Sequence, residues 1–311
     1  MTGPRVSIII PAYNRADVLP RAITSVLSQT FTDYEIIVVD DASTDETSAV
    51  ARNFDGPVHV IRHEVNRGPA AARNTGIQAT SGAYVAFLDS DDEWLPEKLA
   101  RQIGLLDMSV KYFGASCSGY TVIQPELGYS WERRLPTEQH WTEYLLTRGL
   151  DLGPGSTLVA RREVFERIGL LDEGLRRWED WDWLLRYVAE YDLGVIPEPQ
   201  AIIHLSSPSP SAALSASIPR FLDRWDGELT RLGPTRYRRL RARLCFELAT
   251  ALFHEGSRIR GLSSVARGLW SWPLQRPRTV LVFFDALFKT HLALRASRWR
   301  RRLRRPPGPS T

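Results

Sequence analysis

Residues 84–94 read Tyr-Val-Ala-Phe-Leu-Asp-Ser-Asp-Asp-Glu-Trp, a mostly apolar run that ends in four acids, Asp89, Asp91, Asp92 and Glu93. The run is short and lacks polar alternation, the pattern of a strand buried on both faces of a parallel sheet. Four like charges on near neighbours repel one another, so a fold that gathers them at a strand end calls for a cation. Hard oxygen ligands one residue apart suit Mg²⁺ or Mn²⁺, ions that share their shell with substrate phosphates. Taken alone, the stretch is better read as a solvated acidic turn before a helix starting near Pro96, because acids favour helix N-termini. The surrounding loops change that balance.

The elements that must position these acids follow from the chain in order. Residues 5–10 form a first buried strand that breaks at Pro11-Ala-Tyr-Asn14, and residues 16–29 carry a helical period. A second strand, 34–39, ends in Asp40-Asp41-Ala-Ser-Thr-Asp45, where Ser43 or Thr44 is placed to cap a helix running to about Phe54. A third strand covers 58–62, and Asn66-Arg67-Gly68-Pro69 leads into a helix over 70–80. The acidic strand comes next, then a helix over 96–106. Strands alternating with helices predict a parallel sheet covered on both faces, with ligands beyond the carboxyl ends of its strands. Each polar loop named here lies at that edge.

Neither usual nucleotide fingerprint is present, since no Gly-x-Gly-x-x-Gly follows the first strand and no Gly-Lys-Ser/Thr loop occurs. The edge nevertheless offers Tyr13 as an aromatic face, Asp41 as an acceptor for a base or ribose, Arg67 and Arg73 for phosphate, and acids for a metal. That inventory suits a nucleoside diphosphate with a divalent cation. Each residue also has a bland role, in packing, in a turn or on a solvated helix surface. Their convergence on one edge favours the functional reading.

The segments Ile9-Ile-Pro-Ala-Tyr-Asn14, Ile37-Val-Val-Asp-Asp-Ala-Ser-Thr-Asp45, Asn66-Arg-Gly68, Ala72-Arg-Asn-Thr-Gly76 and Phe87-Leu-Asp-Ser-Asp-Asp92 resemble, in order and spacing, the family 2 glycosyltransferases. The similarity covers roughly residues 5–206. It implies a GT-A fold, a Rossmann-like, doubly wound, mostly parallel sheet, and an inverting, metal-dependent transfer from a nucleotide sugar, with UDP the commonest nucleotide. By that resemblance Pro11, Tyr13 and Asn14 border the nucleobase and Asp41 reads it, while Arg67 and Arg73 serve the phosphates. Asp89 and Asp91 become the Asp-x-Asp signature, with Asp91 coordinating Mg²⁺ or Mn²⁺ directly and Asp89 nearer the ribose or joined to the metal through water. His204, after a short apolar strand, matches the histidine that completes the metal or diphosphate site.

Gly153-Pro-Gly-Ser-Thr157 and Gly169-Leu-Leu-Asp-Glu-Gly174 also resemble family segments, and Trp178-Glu-Asp-Trp-Asp-Trp183 follows. The resemblance assigns Asp180 as the general base that deprotonates an acceptor hydroxyl, with Glu179 and Asp182 in support. Burial among the tryptophans is expected to raise the base's pKa toward neutrality. The bland reading is an acid capping a helix whose tryptophans are core. Trp181 and Trp183 cannot share one helix face, so at least one tryptophan is expected in the acceptor cleft, with Trp178 and Trp181 placed there. An aromatic face suits the C–H patches of a sugar.

The expected organisation is a catalytic domain over 1–217 (nucleotide-sugar half 1–110, acceptor half 111–217), a helical annex over 218–297 and a basic, Pro-rich tail over 298–311. The segment after the strand at 112–123, through Thr137 and including Trp131, reads as loop, and the Ser/Pro/Ala run at 206–217 as a flexible lid. Two distant cysteines, Cys117 and Cys245, fit a reducing compartment without disulfides. The N-terminus shows no signal peptide pattern, and no apolar run is long enough to span a bilayer. A cytoplasmic location is expected, peripheral on the membrane if arginine-rich helices and the tail meet anionic lipid and a lipid-linked or other glycan acceptor. No nucleic-acid recognition motif is present. Two rivals remain: an aspartyl-nucleophile phosphohydrolase, which Phe87-Leu-Asp-Ser-Asp91 resembles except for Glu93 and its place on the fourth strand, and a non-catalytic sugar-nucleotide or membrane-binding module.

Overall fold

The unbroken apolar runs at the start of the chain pair in parallel. In a computed structural model describing residues 3–108, 113–124, 128–137, 140–148, 152–205 and 209–272, they become β1 (Val6–Ala12), β2 (Tyr34–Asp40), β3 (Val58–Arg62) and β4 (Tyr84–Phe87). Helices α1 (Leu19–Leu27), α2 (Thr47–Arg52) and α3 (Pro69–Ala79) connect them. β1 lies between β2 and β4, and its register pairs Ala12 with Asp40 and Ile9 with Phe87. Residues 13–14, 41–45 and 89–93 therefore leave the sheet at one edge. The caps differ from expectation. α2 starts after Glu46 with no side-chain cap, because Ser43 and Thr44 are drawn into bonds with Asn14 and Asp40.

Beyond β4 come β5 (Glu93–Trp94), α4 (Lys98–Met108), β6 (Ala115–Gln124), β7 (Tyr129–Arg133), α5 (Trp141–Arg148), α6 (Pro154–Thr157), β8 (Val159–Arg161), α7 (Arg162–Ile168), α8 (Glu179–Glu190) and β9 (Leu193–His204). Among the described residues the strand order is β3-β2-β1-β4-β8-β6-β9-β5, with β7 added on β6. β8 is antiparallel to β4 and β6, β5 is antiparallel to β9, and β6 and β9 run parallel. The result is the mostly parallel, helix-covered sheet of the GT-A fold, with a mixed second half. The segment expected as loop contains β7, antiparallel to β6, and its Trp131 is 37% exposed. A strand so polar outside the core carries no alternation to betray it.

The chain divides into Met1–Ser206 and Ser207–Thr311. The boundary thus falls after the first residue of the Ser/Pro/Ala run, and most of that run is helix: α9 spans Ser211–Arg231 and carries Pro219 inside it. Glu255 stabilises its start, accepting bonds from the Ser211 backbone N–H (2.7 Å) and hydroxyl (2.6 Å). The expectation of a flexible lid is therefore corrected for 211–217, and 206–208 lie outside the described residues. α10 (Pro234–His254) and α11 (Arg258–Ser271) complete the helical unit. The tail and most of the basic stretch, residues 273–311, also lie outside them. Among the described residues no helix is long and apolar enough to cross a membrane.

Lys98 is fully buried in the first unit, with Nζ 4.0 Å from the Trp94 ring centroid and no hydrogen-bond partner. Burial pushes its pKa down to about 7, and the neighbouring Cys117 opposes this only weakly. Between that value and the ordinary lysine value of 10.5 the unfolded chain binds the extra proton, so stability rises with pH across this window. Lys98→Met should remove that rise, worth roughly a few kcal/mol. Urea unfolding of both proteins at pH 7 and pH 10 reads the difference.

Candidate active site

The residue that organises the sheet edge is Arg73, from the middle of α3. Alanines at 70–72 let the helix lie close to the sheet, and Arg73 is buried, 4% exposed, its guanidinium included. Nη2 is 2.5 Å from Asp89 Oδ1 and Nη1 is 2.5 Å from Glu179 Oε1. One planar cation thus joins the acids after β4 to the pair that opens α8. Burial alone would lower the arginine's pKa, but Asp89, Glu179 and Asp180 outweigh it and hold the charge firmly. Glu179 is itself raised, first by burial and then by Asp180, with Arg73 opposing.

The next residue, Asn74, performs the matching task on the backbone. Its Nδ2 donates to Leu171 O (2.9 Å) and Glu173 Oε1 (3.1 Å), and its Oδ1 accepts from Leu171 N (3.0 Å). Asn74 therefore pins the Leu171-Asp-Glu173 turn that precedes α8. Sequence reading quoted both segments without seeing that one clamps the other. Trp178, the residue before α8, takes a left-handed conformation (φ 67°), which turns the chain so that Glu179 and Asp180 begin the helix at the site. Asp180 is half-buried, and its Oδ1 accepts the Trp181 N–H at 2.8 Å.

The acid cluster separates into distinct roles. Asp92 is buried, accepting from Ser156 Oγ (2.5 Å) and from the His204 backbone N–H (2.9 Å). Burial, then the charges of Asp89 and Asp91, push its carboxyl well above the usual carboxylate range. Glu93 takes His204 Nε2 at 2.6 Å and lies 3.4 Å from Arg21 Nε, and Arg21 also donates to the Asp91 carbonyl. Ser156 further receives the Asp89 N–H at 3.1 Å. Gly155 has no alternative here, because a Cβ at this position would lie 2.6 Å from Asp89 Oδ2. Ser156 and Gly155 were missed as site residues. Their only signal was the small-residue stretch itself.

Asp89 and Asp91 both retain partial exposure. Among the described residues no three His, Cys, Asp or Glu side chains form a closed metal cage. His204 has Glu93 as its partner on Nε2, and its buried Nδ1 lacks one. The donor set fits the open kind of site, in which one or two carboxylates hold Mg²⁺ or Mn²⁺ and substrate phosphates complete the shell.

At the ends of β1 and β2, Tyr13 is 44% exposed beside Pro11, and Asn14 takes a positive φ of 53° while bonding Ser43 and Thr44. Asp41 is buried and well occupied: Oδ1 accepts from Arg67 N (2.8 Å) and His63 Nδ1 (2.7 Å), and Oδ2 from Gly68 N (2.7 Å). It ties down the 66–68 loop, with His63 held in turn by Thr75. The Arg67 side chain meets Glu173 at the surface (3.1 Å), and Arg73 is spent on carboxylates, so the two arginines expected on phosphate carry protein partners.

The tryptophan expectation is corrected. Trp178, Trp181 and Trp183 are each no more than 1% exposed, so none presents a face to an acceptor cleft. Trp183 stacks on Phe165 (4.5 Å between centroids) and donates to Gly169 O, and Trp178 meets Trp181 edge-on. Asp182 is equally enclosed, paired with Arg186 at 3.1 Å. The cause is the packing of α8, which has α5 on one side and α3, α6 and α7 on others and so is covered on more than one face.

The sequence profile of Glycosyl transferase family 2 matches residues 7–169, and the chain belongs to this family. It is similar to an uncharacterized glycosyltransferase of Haemophilus influenzae, 34% identical over 194 residues (60% of this chain, 62% of that one). It is also similar to WfgD of Escherichia coli, a UDP-Glc:alpha-D-GlcNAc-diphosphoundecaprenol beta-1,3-glucosyltransferase, 42% identical over 102 residues (32% of this chain, 40% of that one). The chain thus spans less than two thirds of the length of these curated relatives. In fold it resembles Staphylococcus aureus TarS 1-349 in complex with UDP-GlcNAc, with a TM-score of 0.57 at 18% identity, covering 93% of this chain and 81% of that one.

Replacing Arg73 by Met should leave the buried Glu179 without its countercharge and cost about 3–5 kcal/mol of stability. Chemical denaturation checks this, and Arg73→Lys should recover only part, since a point charge cannot bridge two carboxylates as the guanidinium fork does.

Proposed function

We propose that this chain transfers a sugar from a nucleoside diphosphate sugar, with uridine as the favoured nucleotide, to a hydroxyl of a lipid-linked or other cell-envelope glycan, inverting the anomeric centre. The observation that carries this reading is the single guanidinium of Arg73 shared by Asp89 and Glu179, which brings donor-side and acceptor-side acids to one sheet edge. Support for the substrate class comes from the relative named for transfer to a GlcNAc-diphosphoundecaprenol and from the fold neighbour holding UDP-GlcNAc. Tyr13 offers its exposed face to the nucleobase, and Asp41 shapes the loop beside it. Asp180 takes the proton of the acceptor hydroxyl as that oxygen attacks the anomeric carbon opposite the departing diphosphate. Glu179 and Arg73 keep Asp180 in place and the local charge balanced. Asp91 directly, and Asp89 through water, would hold a Mg²⁺ or Mn²⁺, which when bound would neutralise charge on the leaving phosphate. We place the reaction in the compartment that holds nucleotide sugars, on the membrane face where lipid-linked acceptors are met.

The phosphohydrolase reading is weaker, because its nucleophile would be Asp89, whose carboxylate is already paired with Arg73.

Asp180→Asn should bind a UDP-sugar as the parent does, seen as an equal thermal shift with Mn²⁺, yet lose transfer by about 10²–10⁴-fold. Full turnover by this variant would remove Asp180 from the role of base. Gly155→Ala should act at the other end, displacing the Asp89 carboxylate and abolishing the Mn²⁺-dependent part of the donor-induced shift.

A further inference from the structure

Helix α11 shows which of its faces is committed to the fold. Gly261 and Gly268, two turns apart, let it approach α10 closely: a Cβ at Gly261 would lie 2.7 Å from the Phe253 ring, and one at Gly268 3.0 Å from the Phe246 ring. Ser264 Oγ donates to Cys245 O at 2.9 Å, and Val265 packs with Phe246, Ala249 and Phe253. With residues spaced about 100° apart around the axis, this contact leaves the opposite face to Ile259, Leu262, Ser263, Ala266, Leu269 and Trp270. That face is exposed and, apart from Ser263, apolar: Ile259 is 85% exposed and Trp270 92%. Arg260 and Arg267 edge it on one side and Arg258 on the other, all exposed, and α11 contains no acid.

We propose that this outward face of α11 seats on an anionic lipid bilayer, its apolar residues entering the headgroup boundary and its arginines meeting lipid phosphates. An amphipathic helix with tryptophan on one face and arginines at its edges has the composition of an interfacial helix. Charge argues against the alternatives. Residues 273–311 contain ten Lys or Arg and one acid, Asp285, so this segment offers almost no anions to the arginines of α11. A second copy would press two arginine-edged faces together. Even the described residues of the helical unit, 209–272, hold eleven arginines against five acids. An anionic surface satisfies all of these groups at once. The inference does not rest on the glycosyl transfer reading, and its test uses no substrate.

The test is flotation of the full-length chain with vesicles of phosphatidylglycerol and phosphatidylcholine, compared with phosphatidylcholine alone, at physiological salt. The parent should float with the anionic vesicles only. Ile259→Asn combined with Trp270→Ser, both at exposed positions, should reduce the bound fraction at least about tenfold. Its far-ultraviolet circular dichroism and melting should be unchanged, and Trp270→Phe should keep binding. Flotation of the double variant equal to the parent would assign binding to other residues and overturn the proposal. Equal binding to neutral vesicles would overturn it too, as would a parent that ignores vesicles but forms a dimer that the double variant loses.

Discussion

A buried arginine between two carboxylates is the constraint on which the first unit, Met1–Ser206, depends. Glu179 is enclosed by α8 and its neighbours, and a carboxylate taken out of water needs a countercharge within hydrogen-bond reach. Arg73 supplies it and at the same time holds Asp89 at the end of β4. Neither acid can drift without breaking a charge-assisted bond, so the spacing between the two halves of the site is set by the width of one guanidinium. The neighbouring Asn74 does for the backbone what Arg73 does for the charges, and α3 becomes the part that registers α8 against the parallel strands.

The same economy runs through the acid cluster. Four adjacent acids need not share one function, and here they do not. Asp92 is buried into the Ser156 and His204 contacts, Glu93 pairs with His204, Asp89 goes to Arg73, and Asp91 is partly exposed. Their mutual repulsion is relieved chiefly by protein donors from α6, β9 and α3. The cluster is therefore largely balanced by the protein's own donors, with Asp89 and Asp91 the two acids that keep partial exposure.

The helical unit obeys a different logic. Its arginines outnumber its acids, and its last described helix turns glycines inward and large apolar side chains outward, the reverse of an ordinary surface helix. Glycine lets α11 pack closely on α10, and the apolar outer face is the part that the proposed lipid contact would cover.

What the amino-acid sequence determined by itself was the parallel half of the sheet, the loops at its carboxyl edge, the family, helices α1 to α4, the start of α8 and a helical region from about 218. These rest on local periodicity, short turns and motif spacing, all contained within a few residues. β7 escaped notice because a polar edge strand has no alternation, and the first turns of α9 because Ser, Ala and Pro read as loop until Glu255 caps them from a distant turn. Only the tertiary structure decided which acid each donor would take, that all three tryptophans would be core, and that Arg73 would serve carboxylates. The reason is distance along the chain: Arg73 and Glu179 are 106 positions apart, and no local pattern encodes a partner that far away.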